Sequence, residues 1–343
     1  MGYSIEDCTG DPDQIEEIAD FLAKFVADGE GPKNDEAGRR PETWIQRLTW
    51  WWEENPYHSA DCPRALVLRR SDQTIAGFIG FVAHDYVIDG ETVPTLILTT
   101  TFVREDSRDA VLGLWMRANR LREDYQLVDG GPSEAMEPLL DKTGYACEDG
   151  ARLHFFPINR KGFGPRPLAM QAARVIAPKV RQPEDGLHLV SDLAEVELIP
   201  ELDSSSVCRH VDLNSIRWVL NSGTLTKHFV GLVDDEGALV AYLIGRIRRK
   251  GGIRFFFVND AFSFGESGET MIFDLAARVA QYPEEAAIPL EADVLVLPAK
   301  ESNPASPLPL TCRYGAKVFY RMPSKWRDAK RTCLPFEGDA FLL

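Results

Sequence analysis

Three things are scarce in this chain of 343 residues: paired cysteines, long apolar runs and positive charge. The six cysteines, at positions 8, 62, 147, 208, 312 and 333, form no CxxC pair, so we expect reduced, structural thiols rather than a disulfide framework. No apolar run approaches the roughly 20 residues that a membrane helix requires, so no membrane span is expected. The first ten residues contain neither the basic nor the apolar segment of a secretory signal, which predicts a cytoplasmic protein.

Acidic residues outnumber basic ones by 53 to 38, and the net charge is −15. Such a chain repels a phosphate backbone, so duplex nucleic acid is not an expected partner. The histidines are dispersed and show no zinc-ligand spacing, so no metal is expected. A GxSxG elbow, a GxxxxGK[ST] phosphate loop and a GxGxxG after a strand are also missing. The commonest hydrolase and nucleotide-binding motifs are therefore excluded.

The composition that is present, 44% hydrophobic and 10% aromatic, is that of a globular protein. The length fits two domains of about 150 residues each. A segment rich in proline, glycine and basic residues, 158–186, is typical of an interdomain connector. We therefore predict one domain over 1–157 and a second over 187–343. The oligomeric state is left open.

The first domain begins with two helical patterns, over about 13–27 and after Pro41, with Asp13 as the expected N-cap of the first. Three segments rich in branched and aromatic residues then predict strands, and Asp89-Gly90 is a strong hairpin signal. A helix from about Ala110, a short strand, another helix and a last strand complete the prediction. The predicted strands and later helix cover 65–69, 74–88, 92–103, 125–128, 133–142 and 152–157.

The second half repeats this order of elements. Residues 239–245 (LVAYLIG) resemble 74–80 (TIAGFIG), and each stretch follows a turn that contains aspartate. Each also leads through a hairpin turn, Asp89-Gly90 or Gly251-Gly252, into a long apolar strand. A helix pattern and two further strand patterns follow in both halves. An internal duplication is therefore expected.

A long strand, a short polar loop and a helix start form an anion site, because free amides and the positive helix end face the ligand. Here these parts are 96–103, 104–109 and the helix from about Ala110. In this order of elements, residues 10–156 resemble the GNAT family of acyl-CoA-dependent N-acyltransferases. In that family a loop of the form R/Q-x-x-G-x-G/A holds the CoA pyrophosphate. The matching run is Arg108 to Gly113, with Val111 at the first glycine.

The resemblance implies an α/β (α+β) fold of two GNAT-like domains, each a mixed, largely antiparallel twisted sheet flanked by helices. It also implies an acetyl-CoA or another acyl-CoA as co-substrate and a small-molecule or peptide amine as acceptor. The activity expected is acyl transfer to that amine. The residues expected to contact acyl-CoA are Phe102, Val103, Arg108, Asp109, Ala110, Val111 and Gly113.

Acyl transfer to an amine needs a base and often an acid. The usual acid of the family is a tyrosine of the last helix, but Leu140 takes its place here and Thr311 takes it in the second half. Asp129, at the end of a strand, and Glu105, just past another, are the candidate bases. A simple turn role for Asp129 is the alternative.

Three alternatives remain. Arg108 can be a surface residue while Gly113 allows close helix packing. The second-half loop contains Gly265 and Gly268 but no basic residue, so this half is either a ligand site or a degenerate partner that shapes a cleft. The whole chain can also be an inert ligand-binding or protein-binding pair, or a Fem-like transferase that takes its acyl group from charged tRNA.

Overall fold

The computed structural model describes residues 2–31, 35–148, 151–158, 186–201, 208–265, 268–286, 292–300, 311–313, 317–323 and 325. Their strands form two sheets flanked by helices, which confirms the predicted fold class. Most of the predicted connector, 159–185, lies outside the described residues. The helices are α1 (Pro12–Ala27), α2 (Pro41–Trp52), α3 (Val111–Asn119), α4 (Glu137–Lys142), α5 (Leu213–Leu220) and α6 (Gly268–Gln281).

The first sheet consists of strands from both ends of the chain. Its strands are β1 (Tyr3–Asp7), β2 (Ala65–Arg70), β3 (Ile75–Ile88), β4 (Glu91–Val103), β5 (Gln126–Gly130), β6 (Ala146–Glu148) and β15 (Val318–Arg321). They lie in the order β1-β2-β3-β4-β5-β15-β6, and β4 and β5 are parallel whereas the other neighbours are antiparallel. A short strand, β9 (Cys208–Arg209), pairs with β3 beyond the end of β2. The sequence did not predict β1, a five-residue edge strand that is only partly buried.

The second sheet has the same plan. Its strands are β7 (Ala151–Pro157), β8 (His188–Val190), β10 (His228–Val233), β11 (Leu239–Lys250), β12 (Ile253–Ser263), β13 (Val294–Lys300) and β14 (Thr311–Arg313). They lie in the order β14-β7-β13-β12-β11-β10-β8, with β12 and β13 parallel. Thr311 therefore lies in a strand and not in the helix that the comparison with the tyrosine position required. Because β12 and β13 occupy the places of β4 and β5, the structure supports the internal duplication.

Both predicted hairpin turns are present. Asp89 and Gly90 have φ of 51° and 76°, and Gly251 and Gly252 have φ of 58° and 78°. Two successive residues with positive φ are typical of the type I′ turn, whose twist matches that of the strands it joins. The turns therefore fix the registers of β3 with β4 and of β11 with β12.

Helices cover both faces of the first sheet. α1 and α2 pack on one face, in a hydrophobic core that also contains α5 and part of the second sheet. α3 and α4 pack on the other face, in a core of the first sheet. The predicted helical spacing of α1 is confirmed by its buried face, but the helix begins at Pro12 after Asp11, so Asp13 lies in the first turn instead of capping it.

The last strand of each half lies in the sheet of the other half. β15 is inserted between β5 and β6 of the first sheet, and β7 is inserted between β13 and β14 of the second. The predicted boundary at 157 assigned β7 to the first half, whereas its pairing partners belong to the second. Strand periodicity reports that a segment is half buried and does not report which sheet buries it. Each half therefore supplies one strand to the sheet of the other half.

Buried polar contacts also join the halves. The indole nitrogens of Trp50 and Trp218 each donate to the other residue's carbonyl oxygen at 2.8 Å, and the two rings stack at 4.9 Å. Arg209, on β9 beside the first sheet, forms an ion pair with Asp260 of β12, and Tyr242 donates to the same carboxylate at 3.0 Å. Arg209 and Asp260 are almost completely buried. Removing one member of such a buried pair typically costs about 3–5 kcal/mol.

Lys227 lies in the same shared region. Its Nζ donates to the carbonyl oxygen of Val219 at 3.0 Å and lies 4.9 Å from the ring centroid of Trp50. Burial lowers the pKa of this amine from 10.5 to about 7, although the charge of Asp260 acts in the opposite direction. The folded protein therefore favours the neutral amine more than the unfolded chain does.

The exchanged strands predict mutual dependence of the halves. Residues 1–158 and 159–343, co-expressed as separate chains, should copurify as a complex, because each supplies a strand to the other's sheet. Residues 1–158 alone should lack a cooperative thermal transition, since β5 and β6 lose the strand between them. Circular dichroism melting and size-exclusion chromatography measure both outcomes. A cooperative melt of 1–158 alone would contradict the exchange.

Lys227 predicts a pH dependence of stability. Because its folded-state pKa lies below the unfolded value, protonation destabilises the fold fully below about pH 7, and this effect disappears as the pH rises toward 10.5. The melting temperature of Lys227→Met minus that of the parent protein should therefore be several degrees larger at pH 6 than at pH 9. Lys142→Met, which removes an exposed amine, is the control and should show no such difference. Equal pH dependence in both variants would refute the assignment.

Candidate functional site

The pairing of β4 with β5 in the first sheet ends partway along β4, and we call the region just beyond its last residue pair the cleft. The parallel pairing runs from Thr95 with Gln126 to Leu98 with Asp129. β4 then continues to Val103, whereas β5 ends at Gly130. Ligands of open α/β sheets bind at such carboxyl ends of parallel strands.

β4 contains a bulge at this point. Its register against β3 shifts between the pairs Gly80 with Thr99 and Phe78 with Phe102, so β4 contains one extra residue. Thr100 has a φ of 54°, which a β-branched residue rarely adopts. Bulges and strained backbone are concentrated next to active sites because they redirect the chain toward a ligand. No sequence pattern predicts this conformation.

The segment after β4 is tied to the end of α1. The guanidinium of Arg104 donates to Asp28 and to Glu30, both at 2.8 Å. The second carboxylate oxygen of Glu30 accepts from the backbone amide of Glu105 at 3.0 Å. Residues Glu105–Ala110 then form a 3-10 helix that leads directly into α3. The predicted polar loop is therefore mostly a 3-10 helix. We call this helix together with Arg104, residues 104–110, the wound segment.

The two predicted contacts at the end of β4 lie on opposite faces of the sheet. Phe102 stacks on Phe25 of α1 with 4.5 Å between ring centroids, and its ring also lies 6.2 Å from that of Trp44. Val103 is buried in the core beneath α3. Both residues line the protein interior next to the cleft.

Arg108 is the most available cation of the wound segment. Its side chain is 67% exposed, and its nearest acidic partner, Glu105, is 78% exposed at 3.7 Å. Ion pairs between such exposed groups contribute little, so Arg108 can turn to another anion at small cost. By contrast, Arg104 is held by two carboxylates.

The next three predicted residues form the start of α3. Asp109 is exposed and accepts a hydrogen bond from the Tyr3 hydroxyl at 3.2 Å. Ala110 is the N-cap residue, and no side chain caps this end of the helix. Val111 is the first residue of α3, and its side chain packs against the core beneath the helix. The predicted residues from Arg108 to Val111 are thus brought together at one helix end.

Gly113 lies on the exposed side of α3. A Cβ atom added there would meet a single neighbour within 4 Å, the Cδ1 of Ile5 at 3.9 Å, which is an ordinary contact. Close packing of α3 therefore does not require glycine at this position. Because glycine also weakens a helix by about 1 kcal/mol relative to alanine, its presence favours approach of a ligand to the backbone.

The two predicted bases are not brought together. Asp129 is 8% exposed and pairs through its backbone with Leu98 and Phe319 at the cleft. Glu105 lies past the end of β4, about 15 Å or more further along the strand direction, and is on the surface. Asp129 is therefore the candidate at the cleft.

Tyr145 is a polar residue at the site that the motif comparison missed. Its hydroxyl is buried, and no hydrogen-bond partner for it is found among the described residues. Burial and the charge of Asp129 raise its pKa, so the phenol stays protonated. Leu140, at the position of the expected tyrosine, is instead a core residue of α4. Tyr145 directly follows Gly144, which ends α4 with a φ of 82°.

The second half has a corresponding cleft with different contents. β12 pairs with β13 up to Phe257 and then bulges by one residue, as β4 does. Asp260, just past this bulge, is occupied by Arg209 and Tyr242. Gly265 and Gly268 have positive φ and open space beside them. In the described residues, the carboxylate just past the end of this parallel pairing is thus engaged in a buried ion pair.

Membrane-spanning helices and clusters of metal ligands are absent from the part of the chain that the structure describes. No helix there is long and apolar enough to cross a membrane. No group of three or more histidine, cysteine, aspartate or glutamate side chains there is placed to hold a metal ion.

Known proteins match this chain in structure. No protein-family model and no curated protein matches the sequence. A protein of unknown function from Enterococcus faecalis, described as a probable N-acyltransferase, aligns with 93% of this chain and 72% of its own, at 11% identity and a TM-score of 0.56. A GCN5-related N-acetyltransferase from Anabaena variabilis aligns with 94% and 73%, at 13% identity and a TM-score of 0.56.

Saccharomyces cerevisiae N-myristoyltransferase with bound myristoyl-CoA aligns with 94% of this chain and 83% of its own, at 13% identity and a TM-score of 0.51. At such identities the similarity establishes the fold alone. The chain has the fold of the GCN5-related N-acetyltransferases, the GNAT fold, as the sequence resemblance predicted.

The geometry at Gly113 predicts opposite effects on stability and on ligand binding. Gly113→Ala should raise the melting temperature by a few degrees, because alanine favours the helix and its Cβ has room. It should weaken acetyl-CoA binding, measured by isothermal titration calorimetry, because the methyl group blocks approach to the backbone. Arg108→Ala should also weaken binding, and Val111→Gly should leave it equal or tighter. Unchanged affinity in both Gly113→Ala and Arg108→Ala would place the ligand elsewhere.

Proposed function

We propose that this protein is an acyl-CoA-dependent N-acyltransferase that moves an acetyl or longer acyl group to an amine. The observation that carries the proposal is the end of the β4–β5 pairing at the cleft, followed along the chain by the start of α3 with an accessible glycine. The amide of Val111 donates to the carbonyl oxygen of Arg108, so the support comes from the positive end of the helix dipole, which favours phosphate, and from glycine, which lets the pyrophosphate come close.

The residues present fit an acyl-CoA in this proposal. Arg108 and the positive end of α3 beside Gly113 would hold the pyrophosphate, and the thioester would lie in the gap beyond Leu98 and Asp129. The CoA then occupies the α3 side of the sheet. The amine would approach from the opposite side, where α1, α2 and the second half lie. Holding both reactants in the cleft can itself remove several kcal/mol of the barrier.

The transfer itself requires two proton movements. The amine nitrogen forms a bond to the acyl carbon, the carbon–sulfur bond breaks, and the proton of the amine must be removed. We assign proton removal to Asp129, whose side chain faces the α3 side together with that of its strand partner Phe319, so a water molecule in the cleft would carry the proton across from the amine side. Tyr145 would donate a hydrogen bond to the departing thiolate, because its raised pKa keeps the phenol protonated. The acceptor class in this proposal is a small-molecule or peptide amine.

A second candidate function is an inert pair that binds a ligand without chemistry. The observation in its favour is that cations around the wound segment are already paired: Arg104 with Asp28 and Glu30, and Arg70 with Asp106. Val111, at the position of the first glycine of the loop pattern, also favours the inert pair. Binding of acetyl-CoA with no transfer to any amine would favour this candidate.

The proposed roles predict a clear split between the two candidate bases. Asp129→Asn should lower kcat by about 10²-fold or more, and Tyr145→Phe should lower it by a smaller factor. Glu105→Gln, an equivalent change on the surface, should leave kcat within about twofold. Release of CoA thiol in the presence of acetyl-CoA and a panel of amines measures all three, with thermal melting as the check on folding. Loss of activity in Glu105→Gln with Asp129→Asn unaffected would overturn the assignment.

A further inference from the structure

Cations and aromatic rings share one face of the β11–β12 hairpin. Cross-strand partners are Arg246 with Phe257, Arg248 with Phe255 and Lys250 with Ile253, and side chains of paired residues lie on the same face. The Arg248 guanidinium lies 4.5 Å from the ring centroid of Phe257. We call this surface the hairpin face; it consists of Arg246, Arg248, Lys250, Phe255 and Phe257.

The hairpin face is directed toward the first half. On β11, Tyr242 and Ile244 belong to the core that the two halves share, whereas Leu243 and Ile247 pack on the opposite side with α6. Since side chains alternate along a strand, Arg246, Arg248 and Lys250 continue the row of Tyr242 and Ile244. The two phenylalanines of the face are half-buried, and Arg248 and Lys250 are exposed.

Arg246 reaches the first half near the segment between α1 and α2. Burial and the positive charges of Arg248 and Arg47 lower its pKa to about 10, while the carboxylate of Asp35 acts in the opposite direction. Asp35 itself accepts two hydrogen bonds from Arg47, at 2.7 and 3.0 Å. Two guanidiniums, those of Arg47 and Arg246, thus share Asp35, and Arg248 adds a third positive charge beside Arg246; like charges that close repel one another.

A chain of contacts connects this point to the cleft. The Arg47 guanidinium lies 4.7 Å from the ring centroid of Trp44, and Trp44 lies 6.2 Å from Phe102 at the end of β4. These residues lie on the α1 and α2 side of the sheet, opposite the helix that begins at Val111. The hairpin face therefore borders the side from which the amine approaches in the proposed function.

We propose that the hairpin face binds an anionic group of the amine acceptor, so that the substrates are amines that also contain a carboxylate or a phosphate. This inference rests on the proposed function. Arginine is suited to such groups because its planar donors match their oxygens, and an anion between the guanidiniums reduces their repulsion. Phe255 and Phe257 would contact the apolar part of the acceptor beside the anion.

The charge of the hairpin face differs from that of its counterpart. The equivalent hairpin of the first half, between β3 and β4, contains Asp85, Asp89 and Glu91. The chain as a whole has a net charge of −15. A cationic surface at this one hairpin therefore creates a local attraction for anions in a protein that otherwise repels them.

The test compares acceptors that differ only in the anion. Thiol release from acetyl-CoA is measured with phenylalanine and its amide, glycine and its amide, and phosphoethanolamine and ethanolamine. We expect the anionic member of at least one pair to have a kcat/KM about tenfold or more above its neutral partner, through a lower acceptor KM. Arg248→Gln should remove most of this preference. Arg217→Gln, which removes an exposed arginine from α5, is the matched control and should retain it.

The outcomes separate this inference from the function beneath it. Transfer with no preference within any pair, or a preference unchanged in Arg248→Gln, would overturn the inference and leave the acyltransferase function standing. An increase in the KM for acetyl-CoA alone in Arg248→Gln would show that the hairpin face binds CoA phosphates, which also overturns it. No thiol release with any amine would overturn the proposed function and this inference together.

Discussion

The pairing of β15 with β5 is the constraint on which the rest of the structure depends. β5 has five residues and pairs with β4 over four of them, up to Asp129. Its other neighbour, β15, pairs with it from Leu127 to Gly130 and also holds β6. Gly130, where the pairing with β4 has ended, is thus held in the sheet by β15. The second half of the chain thus holds one wall of the cleft in the first half.

This arrangement explains which parts of the fold sequence patterns could predict. The hairpin at Asp89-Gly90 and the repeated strand 239–250 follow from local preferences, and both are present. The exchange of β7 and β15 depends on which of two similar sheets buries a strand, and local pattern contains no such information. The edge strand β1 was not predicted from the sequence, because an edge strand is short and only partly buried.

The candidate site also contains some residues that sequence patterns could suggest and others that they could not. Arg108 and Gly113 were proposed as phosphate contacts because the run 108–113 resembles the GNAT loop pattern. Tyr145 was not proposed, since its proximity to Asp129 is created only by the fold. The positive φ of Thr100 likewise results from the bulge and not from any preference of threonine. Residue spacing along the chain can therefore suggest contacts between a ligand and the backbone, whereas contacts between distant side chains depend on the fold.

The distribution of charge around the cleft bears on how acyl-CoA would bind. On the α1 side, Arg104 is held by Asp28 and Glu30, so this cation serves to anchor the wound segment to α1. Releasing it for a phosphate would leave two carboxylates next to the ligand, which opposes binding. Arg108, exposed and weakly paired, remains. Because the Val111 amide already donates to Arg108, phosphate affinity in the proposed function comes mainly from the positive end of α3 and from Arg108. Access to the backbone, which depends on the absence of a side chain at Gly113, then matters more than the number of cations nearby.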